Sequence, residues 1–462
     1  MRELLKSIIG DAKHWTEVRV HDRNALRLAV RNGVMESATS NRGSGAGVRV
    51  LVDGTWGFSS TARLDRESIE GAVRDATLAA KGSAEGRKAK VDRLADCGLA
   101  VGDFRTGDVD DIESHSIEEK TALVVDTERK TLSASESIRS AMCRYTELID
   151  EKWIVSTDGA DAHIEDAKLE FVVLAVAGTS DDMTTGFHGT GVTGGWSELF
   201  APHSADEISE KTSKVAVDLL SAPYAPGGKT QVVLDPELVG LLAHEAIGHT
   251  VEADFVLSGS ATKGRVGEAV ASDLVTLCDS GPSLIGGEHA GGVVLVDDEG
   301  VPAGRTAIIE NGVLRSFLHD RETAAVFDVK PTGNARAWLY DDPPLIRMRN
   351  TYIEPGESSY EEVVGSVRDG LLLKGAGSGQ ADANAEFMFG VQEAYEIRNG
   401  KVGRLLRGAS ISGDAFEVLK GVDMLSSDFR WTIGSGHCGK GQPAKVDGGG
   451  PFVRCHVIVG GR

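Results

Sequence analysis

Eleven consecutive residues constrain this chain more than any other stretch: His244-Glu245-Ala246-Ile247-Gly248-His249-Thr250-Val251-Glu252-Ala253-Asp254. Two histidines flank a glutamate, as in hydrolases where neutral imidazoles hold a metal and a carboxylate handles the proton of a water. The familiar pattern H-E-x-x-H sets its histidines at i and i+4 on one helix face. Here they stand at i and i+5. Around a regular helix, i and i+4 lie about 40° apart but i and i+5 about 140°. If both imidazoles serve one metal, a regular helix cannot continue through them. A π-bulge absorbs one extra residue. Loosening at Gly248, a poor helix former, is a second solution, and placing His249 beyond the helix end is a third. A distorted helix is expected at Ala246–His249.

The approach to the motif is well marked. Residues 230–234 (Thr-Gln-Val-Val-Leu) read as a short buried strand. Asp235-Pro236-Glu237 follows, with an N-cap, a proline at the first helical position and an acid in the first turn. A helix is predicted from about Pro236 to His244. A catalytic zinc takes three protein ligands and keeps one position open. With Glu245 reserved for chemistry, the third ligand is Glu252, Asp254, or a distant cysteine or histidine. The strongest distant candidate lies in Gly434-Ser-Gly-His437-Cys438-Gly-Lys-Gly-Gln442, where glycines let backbone approach the thiol closely. A thiolate is a good zinc ligand, and its pKa falls sharply beside a metal. Glu252, Asp254 and His437 are the candidates to orient the ligands from behind.

With these residues in place, the chain resembles the TldD/PmbA peptidases, in particular the metal-bearing, TldD-like branch. The H-E-A-x-G-H-x-x-E-x-D pattern of that family matches His244 through Asp254. Its C-G-K-x-G-Q stretch is one residue longer than Cys438-Gly439-Lys440-Gly441-Gln442. Similar segments run from Val48–Phe58 through Pro331–Asn334 to Leu406–Ser410 and Val422–Met424. The resemblance thus covers almost the whole chain. It implies a zinc peptidase acting on unfolded peptides, with His244, His249 and Cys438 holding Zn2+ and Glu245 as general base on a zinc-bound water. It further implies an extended substrate held by strand addition, and a dimer formed with itself or with a PmbA-like subunit. PmbA-like partners lack these ligands, so this chain is expected to be the active subunit.

Composition limits the alternatives. With 462 residues the prior is two domains. Lys+Arg of 49 against Asp+Glu of 70 gives a net charge of −21, which argues against a nucleic-acid partner. The 57 glycines and 5% aromatic content favour turns and hairpins over helical bundles. Cys97, Cys143, Cys278, Cys438 and Cys455 are scattered and odd in number, which suggests a reducing, cytoplasmic setting. Met1–Trp15 reads as an amphipathic helix and not as a signal peptide, and no apolar run reaches membrane-spanning length.

The expected fold is α+β in two domains. An N-terminal α/β domain with antiparallel hairpins spans 1–222, and a β-rich domain carrying the motif helix spans 229–462. The boundary falls in the Pro- and Gly-rich Ser221–Gly228. Glu17–Val20 and Ala25–Val30 read as strands, and Val34–Ser37 and Gly47–Leu51 are expected to pair antiparallel around Asn32-Gly33 and Asp53-Gly54. Asp65 caps one helix, and Ser116 and Ser204 open two more through capping boxes. Strands return over 143–176. Val293–Val296 reads as a buried strand. Hairpins are expected at Asn311-Gly312 (Thr306–Glu310 with Val313–Leu318) and at Asn399-Gly400 (Ala394–Arg398 with Lys401–Leu406).

Rival motifs fail on context. Gly189-Thr-Gly191-Val-Thr-Gly194 matches G-x-G-x-x-G but no helix follows, so dinucleotide binding is rejected. Gly228-Lys229-Thr230 lacks the first glycine of a phosphate loop, and G-x-S-x-G is absent. A cysteine nucleophile beside His437 leaves His244 and Glu245 unexplained. One alternative function stands: a non-catalytic, zinc-stabilised peptide-binding or scaffolding subunit of a hetero-oligomer, which needs a fourth ligand such as Glu252 or His437.

Overall fold

Four Asn-Gly or Asp-Gly pairs set much of the layout. Asn32-Gly33, Asp53-Gly54, Asn311-Gly312 and Asn399-Gly400 all have positive φ at both residues, between 47° and 79°. Two successive left-handed residues make the tight hairpin turn whose twist suits the flanking strands. In the computed structural model, which describes residues 1–461 except 284, 286–289 and 383, these turns join β1 (Trp15–Arg31) to β2 (Val34–Val52), β2 to β3 (Thr55–Thr61), β10 (Arg305–Glu310) to β11 (Val313–Leu314), and Glu386–Arg398 to Lys401–Leu406.

The first sheet has the order β3-β2-β1-β5-β6-β4, with β4 at Val101–Thr106, β5 at Ile138–Ser156 and β6 at Asp161–Gly178. Strand β7 (Met183–Thr193) pairs with the second half of β6. Pairing is antiparallel except between β4 and β6. Helices cover it: α1 (Arg2–Ile9), α2 (Arg66–Ala84), the short α3 (Val109–Ser114), α4 (Ile117–Ser133), the short α5 (Trp196–Phe200) and α6 (Ala205–Ser221). Asp65 caps α2 by accepting from Ser68 N at 2.9 Å, and α2 buries Ile69, Ala72, Ala76 and Ala80. Both capping boxes form, Ser116 with Glu119 on α4 and Ser204 with Glu207 on α6.

Two further sheets come from residues beyond 227. One has the order β11, β10, β9 (Leu277–Ser280), Asn350–Ile353, Asp447–Gly450, Arg430–Trp431. In the other, β8 (Gly228–Leu234) lies between Asp369–Ala381 and Val453–Gly460, and the row continues through Ser410–Asp414 to Glu386–Arg398. Asp369–Ala381 also pairs with Glu386–Arg398, so these five strands close into a ring. The ring and the motif helix share one apolar cluster that includes Val232, Leu234, Leu238, Leu242, Ile247, Phe389 and Val457. The chain is therefore α+β.

Ion pairs, buried or half-buried, tie the first sheet to the later residues: Arg49 to Glu299 at 3.0 Å, Lys152 to Asp298 at 2.9 Å and Lys445 to Glu170 at 2.8 Å. All five cysteines are free thiols. Among the described residues, no helix is long and apolar enough to cross a membrane.

Several sequence expectations need correction. Val34–Ser37 and Gly47–Leu51 do not pair with each other; they are the two ends of β2, and both pair with β1. The polar stretch between them continues the ladder. Glu17–Val20 and Ala25–Val30 likewise belong to the single strand β1. The N-terminal helix stops at Ile9, and Trp15 already begins β1. Val293–Val296 forms no strand: Val293 N donates to the Thr193 hydroxyl and Val294 N to Gly281 O, with only an isolated bridge from Val296 to Pro302. The strand expected over Val313–Leu318 shrinks to Val313–Leu314.

Candidate metal centre

Strand β8 delivers the chain to Asp235, whose carboxylate accepts from Leu238 N and from Gly375 N, both at 3.0 Å. This caps α7 (Pro236–Leu241) and anchors its start to the closed ring. The α-helix then widens. Leu242–Gly248 is a π-helix, followed by a 3-10 turn at His249–Val251. The distortion begins four residues before the expected Ala246, and α-helical geometry ends at Leu241 and not at His244. A π-turn takes one residue more than an α-turn, so i and i+5 come onto one face. The His244 and His249 rings accordingly meet edge-on, with centroids 5.5 Å apart. Gly248 fits this bend because any side chain would collide with Met348: a Cβ there would stand 1.9 Å from its sulfur.

Cys438 arrives from the opposite direction, on a hairpin of His437–Gly439 with Pro443–Lys445. Buried Arg347 holds this hairpin from behind, donating to Cys438 O and to Gln442 O, each at 2.6 Å. The Gln442 side chain accepts from Trp338 N at 2.7 Å and donates to Pro343 O at 2.8 Å. A helix does follow the glycine motif of residues 189–194, contrary to expectation, but it is only the short α5, and the motif's glycines in β7 have a packing role here. A Cβ on Gly191 would lie 2.0 Å from Gly434 O, and one on Gly189 would lie 2.4 Å from the Ser435 hydroxyl. Backbone of the first sheet thus packs directly on the loop that leads to Cys438.

The result is a three-residue donor set. Ligand atoms of His244, His249 and Cys438 all lie within 4.8 Å of one another. Cys438 Sγ is 3.2 Å from His249 Nε2. Burial pushes the Cys438 thiol up, but contacts with His244 and His249 outweigh it and bring it down to about 4. Burial lowers His249, but its hydrogen bonds to Cys438 and Glu252 outweigh that and raise it to about 10. The geometry therefore favours a thiolate facing an imidazolium, a pair that a divalent cation replaces. Two imidazoles and a thiolate suit zinc, and their convergence here fits that ion. No fourth His, Cys, Asp or Glu joins the group among the described residues. Glu245 stands beside it, partly exposed, with its carboxylate 3.9 Å from His249 Nε2.

Glu252 lies behind His249. It is fully buried, and its Oε2 is 3.1 Å from His249 Nδ1. Lys440 reaches the same Glu252 oxygen at 3.2 Å and Asp254 at 2.7 Å. Among the described residues, Asp254 therefore pairs with the lysine and with no imidazole. His437 is also not a ligand neighbour. Successive strand residues face opposite ways, so His437 turns from the cluster toward Glu170, 3.4 Å away, and packs edge-on against Trp338. Burial lowers its pKa to about 4. Lys440 and Arg347 were not singled out by sequence reasoning. Lys440 sits in the quoted C-G-K stretch, so that motif was a usable signal. Nothing local marks Arg347.

Three family models match the chain: PmbA/TldA metallopeptidase domain 1 over residues 16–80, the central domain over 110–220, and the C-terminal domain over 227–459. A metalloprotease of Methanothermobacter thermautotrophicus is 33% identical, covering 98% of this chain and 97% of that protein. This chain belongs to the PmbA/TldD metallopeptidase family. A zinc metalloprotease TldD homolog of Saccharolobus solfataricus is 30% identical, covering 90% of each chain. The family fold is also seen in solved structures. A protein of Thermotoga maritima described as a modulator of a DNA gyrase superposes with a TM-score of 0.79 at 21% identity, covering 99% of each chain. TldE from Thermococcus kodakarensis superposes with a TM-score of 0.78 at 17% identity, again over 99% of each. Within this PmbA/TldD family member, the whole donor set falls inside the segment matched by the C-terminal domain.

Proposed function

We propose that this chain is a zinc-dependent peptidase that hydrolyses peptide bonds of unfolded or extended peptides. The observation that carries the reading is the three-membered donor set of His244, His249 and Cys438, with Glu245 next to it and no fourth ligand among the described residues. A bound zinc would polarise the scissile carbonyl and make a water easier to deprotonate. Glu245 takes the proton of the attacking water and passes it to the leaving amine. Its partial exposure leaves room for substrate. Glu252 fixes the orientation of the His249 ring through Nδ1, and Lys440 holds Glu252 in turn. Arg347 sets the depth of Cys438 by gripping its carbonyl.

Residues 229–462 carry the machinery in this reading, and residues 1–222 frame it from the far side of the Cys438 hairpin. A dimer follows, either with itself or with a PmbA-like subunit. The fold shared with TldE makes a pseudo-symmetric pair of related chains geometrically reasonable. Five free thiols suit a reducing cytoplasm.

The rival, a zinc-stabilised peptide-binding subunit, calls for a closed four-ligand site. Glu252 is engaged by His249 and Lys440, and His437 by Glu170, which disfavours it. Glu245→Gln separates the two readings. Cleavage of an unstructured peptide is expected to fall by at least about a hundredfold, in line with loss of a general base, while zinc content stays at the wild-type value. Unchanged cleavage in that variant would remove Glu245 from the mechanism.

A further inference from the structure

On the other face of the Cys438 hairpin lies a cavity of about 50 Å³ between the first sheet and Trp338. That is room for a few waters or one small oxyanion. Its walls carry an excess of cations in a chain of net charge −21: Arg23, Lys152, Lys168, Arg336 and Lys445 line it, against Asp150, Asp166 and Asp298. Four of these have acidic partners. Arg23 grips Asp150 through two bonds of 2.6 and 2.7 Å. Lys152 meets Asp298 at 2.9 Å and Lys445 meets Glu170 at 2.8 Å. Lys168 pairs with Asp166.

Arg336 has none. Its one hydrogen bond among the described residues goes from Nη1 to the carbonyl of Met348, at 2.6 Å. Burial first, and then Arg347 and Arg349, lower its pKa to about 10, although Asp298 and Asp279 act at longer range in the opposite direction. Arg347 is itself fully buried and spends its guanidinium on two carbonyls, with no carboxylate and with Nε unsatisfied. A second orphan donor stands on the cavity wall: Arg23 Nη1 is buried without a partner. Arg336 is half-buried; withdrawing a cation from water without a direct partner is costly, and so is each unfilled buried donor. The fork of a guanidinium matches carboxylate and phosphate oxygens.

We propose that this cavity binds a small oxyanion, a carboxylate or a phosphate, held by Arg336. The anion supplies the direct counter-charge that the lining carboxylates, each spent on another cation, do not give Arg336. The site is separate from the metal centre, so occupancy is measurable without reference to cleavage.

The test is thermal unfolding of the full-length, metal-loaded protein with inorganic phosphate against chloride at matched ionic strength. Phosphate is expected to raise Tm saturably in the wild type and in Arg27→Gln, which alters an exposed arginine outside the cavity. In Arg336→Gln the phosphate-dependent rise should vanish, because the fork is gone. Arg336→Lys keeps the charge and serves if the glutamine variant does not fold; its apparent Kd for phosphate should weaken at least tenfold. Competition distinguishes the source of the oxyanion. If a tripeptide acid displaces phosphate and its amide does not, the pocket takes a peptide carboxylate; if neither displaces it, the pocket takes a free anion. A wild-type Tm that responds no more to phosphate than to chloride would overturn the proposal. So would an equal phosphate response in the Arg336 variants.

Discussion

At the residue scale, the chemistry rests on the company that each titratable group keeps. Cys438 lies at about 4 and His249 at about 10 because burial is outweighed by their mutual contact and by the neighbouring imidazole and Glu252. The sign of the pH dependence follows. At pH 7 the thiol is already ionised, so metal binding draws no proton from it. His249 is protonated and must release one to become a ligand. Zinc binding at pH 7 should therefore release about one proton, and apparent affinity should rise about tenfold per pH unit between 7 and 9. Calorimetry in buffers of differing ionisation enthalpy measures this directly. Release of two protons would mean a neutral thiol in the free protein and would contradict the ion pair. The residues that sequence alone supplied here were His244, Glu245, His249 and Cys438, because metal ligands are restricted to few side-chain types. Arg347 was illegible because its role is to satisfy two carbonyls distant in sequence, which any arginine or lysine elsewhere might equally have done. The role first given to His437 failed on strand alternation: its neighbour Cys438 takes the inward position, so His437 takes the outward one.

At the element scale, the decisive structure is the π-helix of Leu242–Gly248. The i, i+5 spacing called for an irregular helix, and the π-turn is the solution adopted. Its starting point was not legible, because Leu241-Leu242-Ala243 are good helix formers that mark no widening, and Gly240 before them lies inside the regular helix. Gly248 tests how tightly the bend is fixed. Alanine is the better helix former by about 1 kcal/mol, so propensity alone predicts stabilisation. A Cβ at 1.9 Å from the Met348 sulfur predicts the reverse, since overpacking costs about 1–3 kcal/mol. The collision should win. Gly248→Ala is expected to lower stability in urea unfolding and to weaken zinc binding with it. An equally stable or more stable variant with full metal affinity would show that the π-turn tolerates a side chain there. The hairpin turns were legible for a related reason: only Asn, Asp and Gly enter left-handed backbone cheaply. Strands β1 and β2 were not seen whole. Their lengths of 17 and 19 residues exceed the usual strand, and the outer part of β2 is polar and exposed.

At the scale of the whole molecule, the candidate metal centre is assembled from two ends of one fold. The capped helix brings His244 and His249 from the closed ring of strands, and the hairpin at His437–Lys445 brings Cys438 from nearly two hundred residues later. The first sheet supports that hairpin through Gly191 against Gly434 and through Lys445 paired with Glu170. None of these long-range contacts leaves a local pattern, so sequence gave the parts and not their assembly. The central claim is that His244, His249 and Cys438 form one catalytic zinc site. Its most direct test is zinc per chain, measured on wild type and on Cys438→Ala, with cleavage of an unstructured peptide followed on the same samples. This account predicts about one zinc per wild-type chain and loss of both zinc and cleavage in the variant. Wild type that takes up no zinc when it is supplied, or a variant that keeps its zinc and its cleavage, would contradict it.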